Sequence, residues 1–176
     1  FIMLDILKQG KIIAIGEIGL DYYWVKDNKE LQKEVFQRQL ELSKEFNLPV
    51  LIHMREASQD TYQILKEAKL EAGGIMHCYG GSLEMAYQFI DLGFLISTAG
   101  VVTFKNAKTI KEVIKNIPLD KILIETDSPF LTPEPFRGKQ NEPSYVAYVG
   151  EAVAALKELP ISQVSSQLFE NYKKLF

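Results

Sequence analysis

The chain has 176 residues, of which 47% are hydrophobic and 24% are charged, a composition that supports a buried core and excludes an intrinsically disordered chain. Its net charge of −3 gives the surface as a whole no attraction for nucleic acid, so a polyanionic substrate would need local basic groups or bound cations. The single cysteine, Cys78, excludes an internal disulfide and favours a reducing compartment. With no membrane-length apolar run and no signal pattern, we expect a cytoplasmic protein that does not contact a membrane.

Apolar segments of strand length alternate with segments of helical periodicity along most of the chain. Strands are predicted over residues 12–17, 49–53, 74–77, 94–97 and 122–127. Helices are predicted over residues 28–48, 58–72, 83–92 and 106–117. A turn-rich segment at residues 128–143 precedes two further predicted helices, at residues 144–159 and 162–176.

This alternation predicts an α/β fold with a parallel sheet covered on both faces, because the strands are apolar throughout and do not alternate. A doubly wound open sheet and a (β/α) barrel both fit. No Gly-x-Gly-x-x-Gly turn follows the first strand, which favours the barrel. A complete (β/α)8 barrel takes about 250 residues. We therefore predict an incomplete barrel of five βα units, forming a single domain over residues 1–176.

Four side chains that can bind a metal stand at the ends of four predicted strands. The two histidines of the chain, His53 and His77, hold this position, and so do Glu17 and Asp127. Side chains at the carboxyl ends of parallel strands meet at one edge of the sheet. Imidazole and carboxylate ligands suit Zn²⁺, Mn²⁺ or Mg²⁺. We expect Cys78 to point to the opposite face. In the alternative interpretation the histidines are merely hydrogen-bonded, and the carboxylates cap helices or pair with lysines.

Longer segments of the chain resemble the signature blocks of the TatD hydrolase family. These are residues 16–23 (GEIGLDYY), 49–55 (PVLIHMR), 76–82 (MHCYGGS), 103–107 (TFKNA), 125–131 (ETDSPFL) and 137–143 (RGKQNEP). The resemblance covers nearly the whole chain in the family's order. It implies an amidohydrolase-type barrel that holds up to two divalent ions and hydrolyses phosphodiesters, with deoxyribonuclease activity in several members.

The resemblance also implies a role for each predicted ligand. Glu17 would bridge two ions, His53 and His77 would complete one site, and Asp127 would bind the other ion and accept a proton from the attacking water. Glu17 and Asp127 are thus the predicted catalytic residues.

The family's His-x-His strand, which supplies two ligands to the Asp127 ion, has no counterpart in this sequence. The resemblance starts at the family's fourth barrel strand, and the sequence begins with Phe1, so we expect the natural chain to start upstream. An opened barrel would expose strand edges and apolar helix faces. We therefore expect the 176 residues alone to self-associate.

Substrate-binding candidates lie on the loops after the predicted strands. The basic candidates are Arg55, Lys105, Arg137 and Lys139, with Arg55 the best because its planar fork suits phosphate oxygens. The aromatic candidates are Tyr22, Tyr23 and Trp24, which could stack on a base. The alternatives are a salt bridge for Arg55 and ordinary packing for the aromatic rings.

Three functional hypotheses follow. The first is a metal-dependent phosphodiesterase or deoxyribonuclease that cleaves DNA or RNA with a metal-activated water. The second keeps the metal centre but assigns a small ester or amide as substrate. The third is an inactive truncated product that binds one ion without turnover.

Overall fold

The computed structural model describes residues 2–24 and 27–176. The helices are α1 Ile2–Leu7, α2 Lys29–Phe46, α3 Ser58–Ala68, α4 Leu83–Asp91, α5 Lys108–Asn116, α6 Val146–Lys157 and α7 Ile161–Leu175. The strands are β1 Ile15–Asp21, β2 Val50–Arg55, β3 Gly74–Met76, β4 Phe94–Thr98 and β5 Ile122–Ile124. Short 3-10 segments occupy Gly100–Thr103, Leu119–Lys121 and Pro143–Tyr145.

The five strands form one parallel sheet in the order β1-β2-β3-β4-β5, so each strand lies beside its neighbour in sequence. A doubly wound sheet reverses its strand order at a switch point, and the described strands contain no such reversal. Consecutive order is the arrangement of successive strands in a (β/α) barrel. The predicted α/β fold with five βα units is confirmed, and β1 and β5 are the two edges of the sheet.

The helices follow the predicted pattern with small differences at their ends. In α2, Phe36 and Leu40 form the buried face, and in α4 the Ser82 side chain caps the helix by accepting from the Met85 N–H at 3.3 Å. Helix α3 ends at Ala68, four residues earlier than predicted, because Lys69 takes a left-handed conformation and its N–H bonds to the Leu65 carbonyl. Helix α1 was not predicted from the sequence.

The first strand lies further along the chain than predicted, and this changes the position of Glu17. The apolar pattern suggested a strand ending at Glu17, whereas β1 runs from Ile15 to Asp21. Residues Ile18 and Leu20 beyond Glu17 are buried and continue the strand. Register against β2 shifts between Ile15 and Ile18, as expected for a β-bulge. Glu17 therefore lies within a bulged strand and not at its end.

The core lies between the sheet and the helices that cover it. Its largest fully buried side chains include Phe36, Phe89, Phe94, Ile96 and Ile114. Burying a side chain of this size stabilises the fold by about 1.5–3 kcal/mol. No helix within residues 2–24 or 27–176 has the length and hydropathy needed to cross a membrane.

Candidate metal centre

The four predicted ligands come together at the carboxyl edge of the sheet. Glu17, His53, His77 and Asp127 all line one cleft of about 860 Å³. Three of them do not stand at strand ends as predicted. Glu17 lies within β1, His53 lies two residues before the end of β2, and Asp127 lies three residues beyond β5. The convergence arises because the bulge in β1 and the loop after β5 both turn a carboxylate toward the histidines.

His77 is the centre of the cluster. It follows β3 directly, and its backbone N–H bonds to the Ile52 carbonyl. Its Nε2 lies 3.4 Å from Asp127 Oδ1 and 3.7 Å from Glu17 Oε1. On the other side of the ring, Nδ1 lies 3.0 Å from Glu125 Oε2. The hydrogen bond to Glu125 raises the pKa of His77 to about 9, although burial opposes the shift.

Glu125 is a supporting residue that the sequence interpretation missed. Its carboxylate accepts hydrogen bonds from Nδ1 of His77, from the Cys78 N–H at 2.6 Å and from the Ser97 hydroxyl at 2.9 Å. A carboxylate that binds the far nitrogen of a ligating histidine fixes its tautomer and ring orientation. The available signal was an acidic residue directly after the apolar β5 segment, two residues before Asp127.

His53 is bound by carboxylates at both ring nitrogens. Its Nδ1 lies 2.9 Å from Glu17 Oε1, and its Nε2 lies 2.9 Å from Asp21 Oδ2. Asp21, also missed from the sequence, accepts hydrogen bonds from the backbone N–H groups of Tyr23 and Trp24. Burial opposes ionisation of Asp21, but these bonds and the one to His53 together hold its pKa below the ordinary value.

The loop after β5 holds Asp127 in the left-handed backbone region, at φ 56°. Buried Asn141 braces this loop, because its side-chain amide donates to the carbonyls of Thr126 and Phe130. Burial raises the pKa of Asp127; the charge of His77 opposes this shift, whereas the carboxylates of Glu125 and Glu17 add to it.

These donors fit a divalent ion by their chemistry. Two ligands of a tetrahedral ion, each about 2.1 Å from it, lie about 3.4 Å apart. The distances from His77 Nε2 to Asp127 and Glu17, 3.4 and 3.7 Å, match that spacing. Over the described ranges, however, no three His, Cys, Asp or Glu side chains already surround an ion position. His53 Nδ1 lies 2.9 Å from Glu17 Oε1, closer than two ligands of one tetrahedral ion, so these two side chains must move apart before both can bind the ion.

Three of the predicted substrate-binding residues do not line the cleft. Tyr22 is only 6% exposed, and its hydroxyl donates to Asp60 Oδ2 at 2.7 Å, so it packs between elements and does not stack on a ligand. Lys105 and Arg137 are exposed but do not line the cleft, and the Arg137 guanidinium lies 4.1 Å from the centre of the Phe104 ring. The stacking role predicted for Tyr22 is therefore wrong, whereas the phosphate-binding roles of Lys105 and Arg137 stay predictions.

Arg55 does line the cleft. Its guanidinium lies 4.0 Å from the centre of the Tyr23 ring and 5.4 Å from that of Trp24. The alternative role predicted for Arg55 was a salt bridge with an acid. Arg55 forms no such salt bridge in the described part of the chain.

Cys78 also lines the cleft, contrary to the prediction that it points away from His77. Strand β3 ends at Met76, so the alternation of side chains does not extend to Cys78, whose φ is 40°. Burial raises the pKa of its thiol to about 12, which keeps the thiol protonated.

Consecutive parallel strands with a histidine–carboxylate cluster at their carboxyl edge are the arrangement expected of a metal-dependent hydrolase built on a (β/α) barrel. The chain belongs to the TatD related DNase family, which its sequence matches over residues 2–176.

Two relatives carry related names. The chain is 58% identical over 167 residues to the uncharacterized metal-dependent hydrolase YabD of Bacillus subtilis (strain 168), covering 94% of this chain and 66% of that protein. It is 42% identical over 166 residues to the uncharacterized metal-dependent hydrolase YcfH of Escherichia coli (strain K12), covering 94% of this chain and 63% of that protein. The chain thus spans about two thirds of the length of the curated relatives it matches.

Solved structures show the same fold. The TatD homolog YJJV from Escherichia coli K12 superposes with a TM-score of 0.90 at 33% identity, covering 99% of this chain and 70% of that one. A TatD family hydrolase from Entamoeba histolytica superposes with a TM-score of 0.85 at 24% identity, covering 99% and 66%.

Proposed function

We propose that this protein is a metal-dependent phosphodiesterase that cleaves DNA or RNA, with Glu17, His53, His77 and Asp127 as ligands of Mg²⁺, Mn²⁺ or Zn²⁺. The observation that carries the proposal is the position of His77, whose Nε2 faces both Glu17 and Asp127 in one cleft. The matched family, described as TatD related DNase, supports the choice of substrate.

The protein's own residues have distinct roles in this proposal. Glu17, His53 and His77 would hold the ion, and Glu125 orients His77 by binding its Nδ1. Asp127 accepts a proton from the attacking water, a role that suits a carboxylate lining the cleft and facing His77. A bound divalent ion would supply an activated water and positive charge for the phosphate oxygens.

The carboxylates of the cleft support a role for a bound ion in this proposal. Carboxylates of Glu17, Glu56 and Asp127 line it and repel a phosphodiester. Among the described residues, Arg55 and Lys108 are the lysine and arginine side chains that line the cleft. A bound metal ion would add positive charge next to these carboxylates, where the phosphate oxygens of a substrate would lie.

The experiment is cleavage of an end-labelled single-stranded oligonucleotide in the presence and absence of Mn²⁺ or Zn²⁺. We expect metal-dependent cleavage by the natural sequence and its loss in Glu17→Gln. Glu45→Gln, an exposed glutamate of α2, is the matched control and should cleave normally. Cleavage that persists in Glu17→Gln, or without metal, would contradict the proposal.

The two alternatives give different results in the same assays. Hydrolysis of a p-nitrophenyl ester with the oligonucleotide left intact would identify a small-substrate hydrolase. Metal binding with turnover of neither substrate would identify an inactive product. Calorimetric titration with Mn²⁺ should give one ion per chain, because Glu17, His53, His77 and Asp127 line a single cleft and His77 Nε2 faces both carboxylates. Two ions per chain would overturn that assignment.

A further inference from the structure

We infer that Tyr23, Trp24 and Arg55 form a base platform at the rim of the cleft, on which an unpaired nucleobase of the substrate stacks beside the metal ligands. The substrate class rests on the proposed function. The platform itself rests on the exposure of its rings, its link to the histidine cluster and the free charge of Arg55.

The platform presents aromatic surface to solvent. Trp24 is 72% exposed and Tyr23 is 42% exposed, and their rings meet edge to face with centroids 4.8 Å apart. Leaving the face of a large aromatic ring in water is unfavourable, since such rings contribute most when they are covered. Trp24 lines the same cleft as His53 and His77, so a base on its open face would have its backbone next to the metal ligands.

Backbone contacts tie the platform to the cluster. The N–H groups of Tyr23 and Trp24 donate to Asp21 Oδ1 at 2.9 and 3.1 Å, and Asp21 Oδ2 lies 2.9 Å from Nε2 of His53. Asp21 also pairs in register with Arg55 across β1 and β2. One carboxylate therefore sets the position of both the platform and a metal ligand.

The charge of the platform matches a nucleotide. The Arg55 guanidinium lies against Tyr23 and near Trp24, at 4.0 and 5.4 Å from their ring centres, and forms no ion pair with an acid of the described chain. Its N–H donors remain available for a phosphate oxygen. Aromatic faces beside an arginine are the usual means of holding single-stranded nucleic acid without sequence preference.

An unpaired base is the preferred occupant. Bases inside a duplex are stacked on each other and cannot reach the face of Trp24 without being unstacked. The platform should therefore favour single strands and frayed ends over blunt duplex.

The binding test uses the fluorescence of Trp24, which is the only tryptophan in the sequence. Glu17→Gln protein, which should not consume the ligand, is titrated with a short single-stranded deoxyoligonucleotide and with an abasic strand of equal length. We expect saturable quenching of Trp24 fluorescence by the strand with bases. The abasic strand should give little quenching, because it carries phosphates but no ring to stack.

The matched variants are Trp24→Ala and Phe169→Ala, measured with a fluorescently labelled single strand. Phe169 is 60% exposed on α7 and does not line the cleft, so its variant controls for the loss of an exposed ring. Trp24→Ala should weaken binding of the strand by roughly 5- to 150-fold, the change expected for one stacked base. Phe169→Ala should bind the strand as tightly as the natural protein does. The abasic strand should bind Trp24→Ala as tightly as it binds the natural protein.

Equal quenching by the two strands, or equal affinity of Trp24→Ala and natural protein, would overturn the base platform. These results are separable from failure of the proposed function. Quenching without any metal-dependent cleavage would leave the platform in place and remove the nuclease activity. Metal-dependent cleavage together with unchanged strand binding by Trp24→Ala would leave the nuclease activity in place and remove the platform.

Discussion

Glu125 and His77 form a hydrogen-bonded pair that joins the ends of β5 and β3, with 3.0 Å between Glu125 Oε2 and Nδ1 of His77. The bond leaves Nε2 of His77 directed toward Glu17 and Asp127. Glu125 also accepts from the Cys78 N–H and the Ser97 hydroxyl, so its own orientation is fixed from two further sides. The pair determines which nitrogen of His77 is available to a metal ion.

Replacing Glu125 should therefore weaken metal binding. We expect Glu125→Ala to lower the affinity for Zn²⁺ or Mn²⁺ by roughly 10- to 100-fold, the usual effect of losing such a partner. Glu125→Gln should lose less metal affinity than Glu125→Ala, because the amide oxygen of glutamine can still accept a hydrogen bond from Nδ1 of His77. Isothermal titration calorimetry measures the affinities.

Glu45→Ala is the control for this series, since Glu45 is an exposed glutamate on α2. Its metal affinity should equal that of the natural protein. Equal affinities for Glu125→Ala and Glu45→Ala would show that Glu125 does not orient the ligand.

Gly19 allows β1 and β2 to approach each other beside the cluster. It has a φ of 139°, and a Cβ at this position would lie 2.0 Å from the carbonyl oxygen of His53. Gly19→Ala should therefore destabilise the fold by more than about 1 kcal/mol, and it should displace His53. Urea unfolding measures the first effect and metal affinity the second.

Gly93→Ala separates the cost of a positive φ from the cost of the close approach to His53. Gly93 also has a positive φ, 91°, but a Cβ there meets no atom within 4 Å. It should show the conformational cost alone and leave metal affinity unchanged. If the two variants have the same stability and metal affinity, the close approach to His53 is unimportant.

The sequence predicted the strand and helix order and the clustering of Glu17, His53, His77 and Asp127, because these depend on apolar segments and on the convergence of parallel strand ends. It did not predict that Glu17 lies within a strand, since a β-bulge is a backbone irregularity that leaves no mark in the apolar pattern. It misplaced Tyr22, whose burial depends on Asp60, a residue 38 positions away in sequence. Glu125 and Asp21 were missed because their roles depend on contacts with distant histidines.

Asp60 should make stability depend on pH in the acid range. Its Oδ2 accepts from Lys33 Nζ at 2.8 Å and from the Tyr22 hydroxyl at 2.7 Å, and these bonds, that of Lys33 above all, lower its pKa in the folded state. A lowered folded pKa gives stability that is present above the unfolded pKa, about 3.9, and is lost as pH falls through the folded value. The urea concentration at the midpoint of unfolding of the natural protein should therefore decrease when the pH is lowered below about 4.

Asp60→Asn should reduce the urea midpoint at pH 7 and should show a smaller further decrease on acidification. Asp120→Asn is the control, because Asp120 is an exposed carboxylate with no side-chain partner in the described part of the chain. The same acid dependence in Asp60→Asn and the natural protein would show that the bonds of Asp60 to Lys33 and Tyr22 do not contribute to the pH dependence of stability.

The open edge of the sheet at β1 should promote pairing with a second copy of the chain. Among the strands of residues 2–24 and 27–176, β1 pairs with β2 alone, and Ile13 beside it is 61% exposed. On α2, Leu31 and Val35 are 58% and 46% exposed one turn apart, forming an apolar face separate from the buried Phe36. An unpaired strand edge next to exposed apolar side chains is a typical site of association.

We therefore expect the apparent mass in sedimentation velocity to rise with protein concentration. Leu31→Lys should shift the protein toward monomer, because a charge on this face must be desolvated when two copies meet. Gln37→Lys adds the same charge at an exposed position of the same helix and should leave association unchanged. A single monomeric species at all concentrations would contradict the prediction, and equal effects of the two lysines would show that net charge, and not this apolar face, controls association.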